Sequence, residues 1–300
     1  MDRPLRSFLF APATDLRKVE KALSLEADAV ILDLEDAVAV SEKVLARSLV
    51  VDILGRASRK SIYVRVNGAS TRWLVGDLMA VVGGRPAGIV LPKAEDAEEV
   101  RRVDWLMGQL EREYGLPAGE MELIPLVETA RGVMNAYGVA ASCPRVKRLA
   151  FGAIDYTLDI GTSLTAQGME IFYARSRLVV ASRAAGIEGP IDTVYPNIKD
   201  EEGLAAECRL VRSLGFVGKL VIHPAQLGPV NEIFSPTPGE IDYAARVARA
   251  FARAEAEGIA AVQLDGKFID YPVAAWARRT LAIARALGLT GEKGSEEQEA

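Results

Sequence analysis

Eight short apolar runs, at residues 7–11, 29–33, 62–66, 88–91, 123–127, 148–152, 191–195 and 219–222, recur along this chain of 300 residues. None alternates polar with apolar positions, so each reads as a strand covered on both faces. Helix-length amphipathic segments separate them: 15–26 behind Thr14 as N-cap, 42–54 behind Ser41, then 95–113, 129–141, 170–185 and 201–214. Strand and helix in this alternation predict parallel strands with helical crossovers. Eight such units predict an α/β fold, the TIM (β/α)8 barrel. A doubly wound open sheet is the alternative. It is weakened by Ala11-Pro12-Ala13-Thr14 after the first run, where a dinucleotide fold needs a Gly-rich loop.

The barrel is expected to take residues 1–234. Beyond it Pro236 and Pro238 punctuate the chain, 239–258 reads as a long helix, 262–272 as irregular and 274–287 as another helix. Residues 235–290 are therefore expected to form a C-terminal helical extension, as a lid, a buttress or an arm swapped onto a neighbouring subunit. The tail at 291–300 has no apolar anchors and is predicted disordered.

The formal net charge is -5, which argues against nucleic-acid or membrane-surface partners. No apolar run approaches the ~20 residues of a membrane span. Met1-Asp2-Arg3-Pro4 opens no signal-like stretch, and Cys143 and Cys208 fit neither a disulfide framework nor a metal spacing. A cytoplasmic protein is expected. His223 is the only histidine. A His-rich zinc site cannot be built, and proton transfer and metal binding fall mainly to carboxylates.

In a barrel the chemistry gathers where strands end. The predicted strands end in Asp33-Leu34-Glu35-Asp36, Arg65-Val66-Asn67, Pro92-Lys93, Glu128-Thr129, Gly152-Ala153-Ile154-Asp155, Asp192 and His223-Pro224. Each has a plain alternative: Glu128 or Asp155 as the N-cap of a following helix, Lys93 as a solvated rim residue, Arg65 as a neutraliser of the Asp33–Asp36 cluster. Together they converge on one rim, where like charges repel unless a cation or substrate joins them. Two oxygen ligands with Arg and Lys nearby suit Mg²⁺, which keeps waters and shares an anionic substrate.

These residues carry a resemblance. Arg6-Ser7-Phe8-Leu9-Phe10-Ala11-Pro12, Asp33-Leu34-Glu35-Asp36-Ala37-Val38 followed by Lys43 and Ala46-Arg47, and Val64-Arg65-Val66-Asn67 are its first pieces. Leu91-Pro92-Lys93, Val127-Glu128-Thr129-Ala130, Phe151-Gly152-Ala153-Ile154-Asp155, Gly215-Phe216-Val217-Gly218-Lys219 and Ile222-His223-Pro224 complete it. The sequence resembles the citrate lyase β-subunit group of the HpcH/HpaI aldolase superfamily, with its citryl-, malyl- and citramalyl-CoA lyases. The match runs from about Arg6 to Leu287.

The resemblance implies a TIM barrel with Mg²⁺, held by Glu128 and Asp155, and a homo-trimer or hexamer. It implies that Arg65 contacts substrate oxygens and that Glu35 and Asp36 lie near the metal's waters. It also implies that Asp270, in Asp265-Gly266-Lys267-Phe268-Ile269-Asp270-Tyr271-Pro272, reaches a neighbouring subunit's site as acid/base. Lys93 and Arg6 are candidates for holding anionic groups. Ala13 departs from the family, where glycine commonly follows that proline. The stretches at 192–195 and 200–203 look closer to citrate lyase β subunits than to malyl-CoA lyases.

The expected reaction is a retro-aldol (Claisen-type) cleavage of a β-hydroxy acyl thioester into an oxo-acid and an acyl-CoA or acyl-carrier-protein thioester. A pyruvate-type aldolase is a rival, but its relatives use a histidine after strand two, where this chain has Asp-Leu-Glu-Asp. A Schiff-base aldolase through Lys93 and a β subunit active only within a larger complex are the others.

Overall fold

A computed structural model describes residues 4–56 and 61–290; the tail predicted to be disordered lies outside the described residues. The chain divides into two compact units, Leu5–Asn231 and a second built from Glu232 onward.

The first unit is a closed barrel of eight parallel strands in sequence order. These are β1 (Ser7–Pro12), β2 (Ala29–Asp33), β3 (Ser61–Arg65), β4 (Gly88–Leu91), β5 (Glu122–Val127), β6 (Ala150–Phe151), β7 (Ile191–Asp192) and β8 (Gly218–Val221). Closure is by β1 on β8, with Phe8 opposite Leu220. The helices are α1 (Leu16–Ser24), α2 (Lys43–Leu54), α3 (Leu74–Val81), α4 (Ala97–Glu113), α5 (Ala130–Met134), α6 (Ala136–Ala140), α7 (Ala153–Asp159), α8 (Met169–Ala184) and α9 (Glu201–Leu214). The barrel expectation holds; the open sheet does not. Among the described residues no helix is long and apolar enough to cross a membrane.

Every second strand residue joins one core: Phe8, Ala29, Ile31, Tyr63, Val90, Ile124, Leu126, Ala150, Ile191 and Leu220. The intervening residues face the helices. Each fully buried aliphatic side chain here stabilises the fold by about 1.5–3 kcal/mol. Period two then decides what the mouth contains. Stepping on from Ile31, Tyr63 and Leu126 brings Asp33, Arg65 and Glu128 into the inward set. Stepping on from Ile191 turns Asp192 outward.

Two helix starts differ from expectation. Asp15, not Thr14, caps α1 by accepting from Lys18 N. A 3-10 turn at Val40–Glu42 precedes α2 in place of a Ser41 cap; its Glu42 N–H already donates to the Ala39 carbonyl, so no hydroxyl is needed.

In the second unit, α10 (Leu227–Ile233) crosses the boundary, and α11 (Pro238–Ala256) and α12 (Tyr271–Ala286) pack together through Val247, Phe251, Ala274 and Ala277. The stretch expected to be irregular contains an antiparallel hairpin, β9 (Val262–Leu264) with β10 (Lys267–Ile269). Asp265 and Gly266 form its turn with φ of 50° and 75°, a two-residue geometry that matches the right-handed twist of the strands.

Candidate functional site

At the C-terminal ends of the strands the inward-facing polar residues form one connected group. Asp33 ends β2 and accepts from the backbone N–H of Glu35 (2.9 Å) and Ala37 (3.1 Å), which fixes the acidic turn. Its two oxygens also receive Arg65 Nε at 2.8 Å and Nη2 at 2.6 Å. The guanidinium lies over the Phe10 ring, 4.8 Å from its centroid. Arg65 is thus held by a two-point ion pair and a ring face, with Nη1 3.1 Å from Glu35 Oε2. That last contact is ionic rather than directional, because Glu35 Oε2 is buried without an aligned hydrogen-bond donor.

Lys93 follows β4 with φ of 53°, a left-handed conformation uncommon for a residue with a Cβ. In that conformation its backbone N–H donates to Glu128 Oε1 (2.9 Å) while its ammonium donates to Glu35 Oε1 (2.9 Å). One residue therefore ties together the carboxylates that follow β2 and β5. Glu128 is 2% exposed and lies against Gly152 at the end of β6. A Cβ at Gly152 would collide with Glu128 Oε2, so only glycine leaves that seat open. Asp155 sits in the first turn of α7, whose start is pinned where Ala153 N donates to Thr193 Oγ1 at 2.9 Å.

The electrostatics show an excess of negative charge. Burial, then the charges of Glu35 and Asp155, push the Glu128 carboxyl up to about 8, against the pull of Arg65. Burial also raises Glu35, although Arg65 and Lys93 oppose it. For Lys93, burial lowers the ammonium pKa, but the hydrogen bond and charge of Glu35 outweigh that and the net shift is upward. A Schiff-base nucleophile must be a neutral amine, so this environment weighs against that rival.

Among the described residues no group of three or more His, Cys, Asp or Glu side chains is placed to hold a metal ion by itself. Glu128 and Asp155 would offer two hard oxygen donors, with water and substrate left to supply the rest, a donor set that suits Mg²⁺ rather than a structural metal. After burial, the charges of Glu35 and Asp155 lift Glu128, and a divalent cation would offset both causes. The residues fit the ion.

The structure brings Glu35, Arg65, Lys93, Glu128 and Asp155 together, with Asp36 exposed at the rim. It does not bring Arg6 there. Arg6 precedes β1 at the opposite end of the barrel, where its side chain donates to Asp28 at 2.7 and 2.9 Å and to the Asn231 carbonyl at 3.3 Å. Asp192 is also absent from the mouth. It faces the helix layer, fully buried, paired with Arg175 (2.9 Å) and Lys219 (2.6 Å), while Glu207 binds the same two cations. His223 caps a 3-10 turn, its Nδ1 accepting from Ala225 N. Asp270 belongs to the second unit and caps α12, accepting from Val273 N at 3.3 Å. A cleft lined by Ala140–Pro144, Lys147 and Ala185–Glu188 opens where β6 and β7 begin; none of the candidate residues lines it.

Supporting residues escaped the sequence reading. Asn67 donates to Asp77 (2.6 Å) and to the Leu34 carbonyl (3.0 Å), and Arg47 holds Asp77 at 2.6 Å. Lys43 donates to the carbonyls of Leu34 and Glu35. Lys43, Arg47 and Asn67 stand within the family-like motifs, but their acceptors follow only from the tertiary fold.

The family model described as HpcH/HpaI aldolase/citrate lyase matches residues 6–224. The chain is 36% identical over 296 residues to the citrate lyase subunit beta of Leuconostoc mesenteroides subsp. cremoris, covering 98% of both. It is 38% identical over 286 residues to a (3S)-malyl-CoA thioesterase of Cereibacter sphaeroides (strain ATCC 17023), covering 95% of this chain and 96% of that one. Among solved structures it is similar to the protein CitE from Mycobacterium tuberculosis in complex with magnesium, acetoacetate and coenzyme A. There the TM-score is 0.77 with 31% identity, over 95% of this chain and 98% of that chain.

Proposed function

This chain belongs to the HpcH/HpaI aldolase/citrate lyase family, and from that premise we propose that it is a magnesium-dependent carbon–carbon lyase cleaving a β-hydroxy acyl thioester of the citryl-, malyl- or citramalyl-CoA type. The observation that carries the reading is the buried Glu128, lifted to about 8 by burial and by two facing carboxylates beside a guanidinium fixed by Asp33. Such a mouth favours a divalent cation together with an anionic oxo-acid. The magnesium-bound CitE relative supports the choice of ion.

Glu128 and Asp155 would hold the metal. Bound there, magnesium supplies Lewis-acid polarisation of a hydroxyl or keto oxygen and its neighbouring carboxylate. Arg65, with Nε and Nη2 committed to Asp33 and Nη1 beside Glu35, would present its fixed positive charge to the oxygen that gains charge as the bond breaks. Lys93 keeps Glu35 and Glu128 in register and adds positive charge where an anionic group enters. As the carbon–carbon bond breaks, its electron pair goes to the departing acetyl carbon, and one carboxylate takes the hydroxyl proton and returns it to that carbon. Asp270 is that acid/base, delivered from a second copy in a homo-trimer or hexamer. The support for Asp270 is the family-like segment 265–272.

The test is turnover of citryl-CoA, malyl-CoA and citramalyl-CoA by the purified chain, with Mg²⁺ and with EDTA. Cleavage of at least one is expected, lost with EDTA and in Glu128→Ala or Asp155→Ala. Retention of metal-dependent cleavage by either variant would refute the site. A second reading draws on the thioesterase relative: CoA released from malyl-CoA with malate as the sole acid product would assign hydrolysis. Inactivity on every thioester until partner subunits are added would assign the role that the name citrate lyase subunit beta carries.

A further inference from the structure

Lys43 opens α2 and is 7% exposed, yet its ammonium pairs with no carboxylate among the described residues. Its Nζ donates instead to two consecutive backbone carbonyls, Leu34 and Glu35, both at 2.9 Å. Burying an ammonium is costly, and a helix that needed only an apolar contact here would carry an apolar residue. The place it grips is the acidic turn after β2.

That turn is held on every side. Leu34 N donates to the Arg65 carbonyl at 2.9 Å, Asn67 donates to the Leu34 carbonyl, and the Asp33 carboxylate accepts from Glu35 and Ala37. Without Lys43 the Glu35 carbonyl retains the N–H of Val38 at 3.0 Å, and the Leu34–Glu35 peptides lose their shared anchor. The side chain that departs from this backbone is Glu35, whose carboxylate reaches Arg65 and Lys93 and acts on Glu128.

We propose that Lys43 is a positioning residue: its ammonium clamps the Leu34 and Glu35 carbonyls so that the Glu35 carboxylate stays between Arg65 and Lys93 beside Glu128. Its effect on cleavage rests on the magnesium-lyase reading; the clamp itself does not. Lys43 acts through Glu35 and touches neither substrate nor metal.

A double-mutant cycle tests this with Lys43→Met, Glu35→Gln and the pair. Two quantities are read: the Kd for Mg²⁺ alone by titration calorimetry, and kcat and KM on the thioester that the wild type cleaves. Lys43→Met is expected to weaken Mg²⁺ binding and to lower kcat about tenfold each, as loss of a supporting partner does, with KM little changed. In the Glu35→Gln background it is expected to cost nothing further, and Lys43→Arg is expected to recover part of the loss. Equal losses in both backgrounds, tighter Mg²⁺ binding or unchanged kcat would overturn the proposal. If Lys43→Met does not fold, Lys43→Gln runs the same cycle. Hydrogen exchange separates this from failure of the lyase reading. Even in a chain that neither binds Mg²⁺ nor turns over, the Glu35 and Ala37 amides should exchange about tenfold faster in Lys43→Met. Unchanged exchange there would overturn the clamp.

Discussion

Magnesium binding should release a proton at neutral pH, and the structure sets how much. The metal-free Glu128 carboxyl, pushed up to about 8, is about nine-tenths protonated at pH 7, whereas a ligand carboxylate must be ionised. Binding at pH 7 is therefore expected to release about 0.9 proton, falling to about 0.1 at pH 9. The apparent Kd for Mg²⁺ should improve about tenfold between pH 7 and pH 9, or about 1.4 kcal/mol, and flatten above that. Calorimetry in HEPES, imidazole and Tris at one pH reads the proton count directly, because the buffers differ in ionisation heat. Glu35→Gln removes the second-largest cause of the shift, so its proton count at pH 7 should drop. A count near zero at pH 7, with a Kd flat from pH 6 to pH 9, would refute the assignment of Glu128 as a buried, charge-crowded ligand.

The same carboxyl ties stability to pH. Its folded-state value lies above the unfolded value of 4.5, so the metal-free protein should lose stability as pH rises from about 4.5 through 8, on the order of 5 kcal/mol at most, with excess Mg²⁺ flattening the trend in a melting series. Gly152→Ala should keep the fold by circular dichroism while weakening Mg²⁺ binding at least about tenfold, because the new Cβ displaces Glu128. Asp270→Asn keeps an N-cap and should melt like wild type while losing about 10²–10⁴-fold in kcat; Asp270→Ala should lose about 1 kcal/mol of stability as well. Arg65→Lys cannot reproduce the two-point grip on Asp33 and should cost about 10²–10³-fold in kcat; wild-type turnover would show that a point charge suffices.

Much of this molecule could be read from the chain because its strands are covered on both sides. Ile31, Tyr63 and Leu126 announce themselves as apolar runs, and the period of two carries the reader on to Asp33, Arg65 and Glu128. The same period misleads when a strand is short. Asp192 stands at a strand end like the others, but β7 is two residues long and its parity points the carboxylate at Lys219, 27 residues away in the chain. Arg6 stands in a family-like motif yet marks the start of β1, so motif membership does not say which end of a strand a residue serves. Asp265-Gly266 carried a legible turn signal that the surrounding mixed sequence masked. Lys43 and Arg47 were visible as letters, but their acceptors are carbonyls and a carboxylate brought near only by folding.

The outward-facing quartet of Arg175, Asp192, Glu207 and Lys219 constrains how this sequence can drift. Replacing any one member strands a buried charge, at a cost of about 3–5 kcal/mol, whereas exchanging the whole set for well-packed apolar residues can be neutral or better. A lineage that takes one substitution at a time must cross that barrier before reaching the alternative. Descendants are therefore expected to keep or lose the four as a block, and a designer reworking β7 and β8 has to redesign α8 and α9 in the same step.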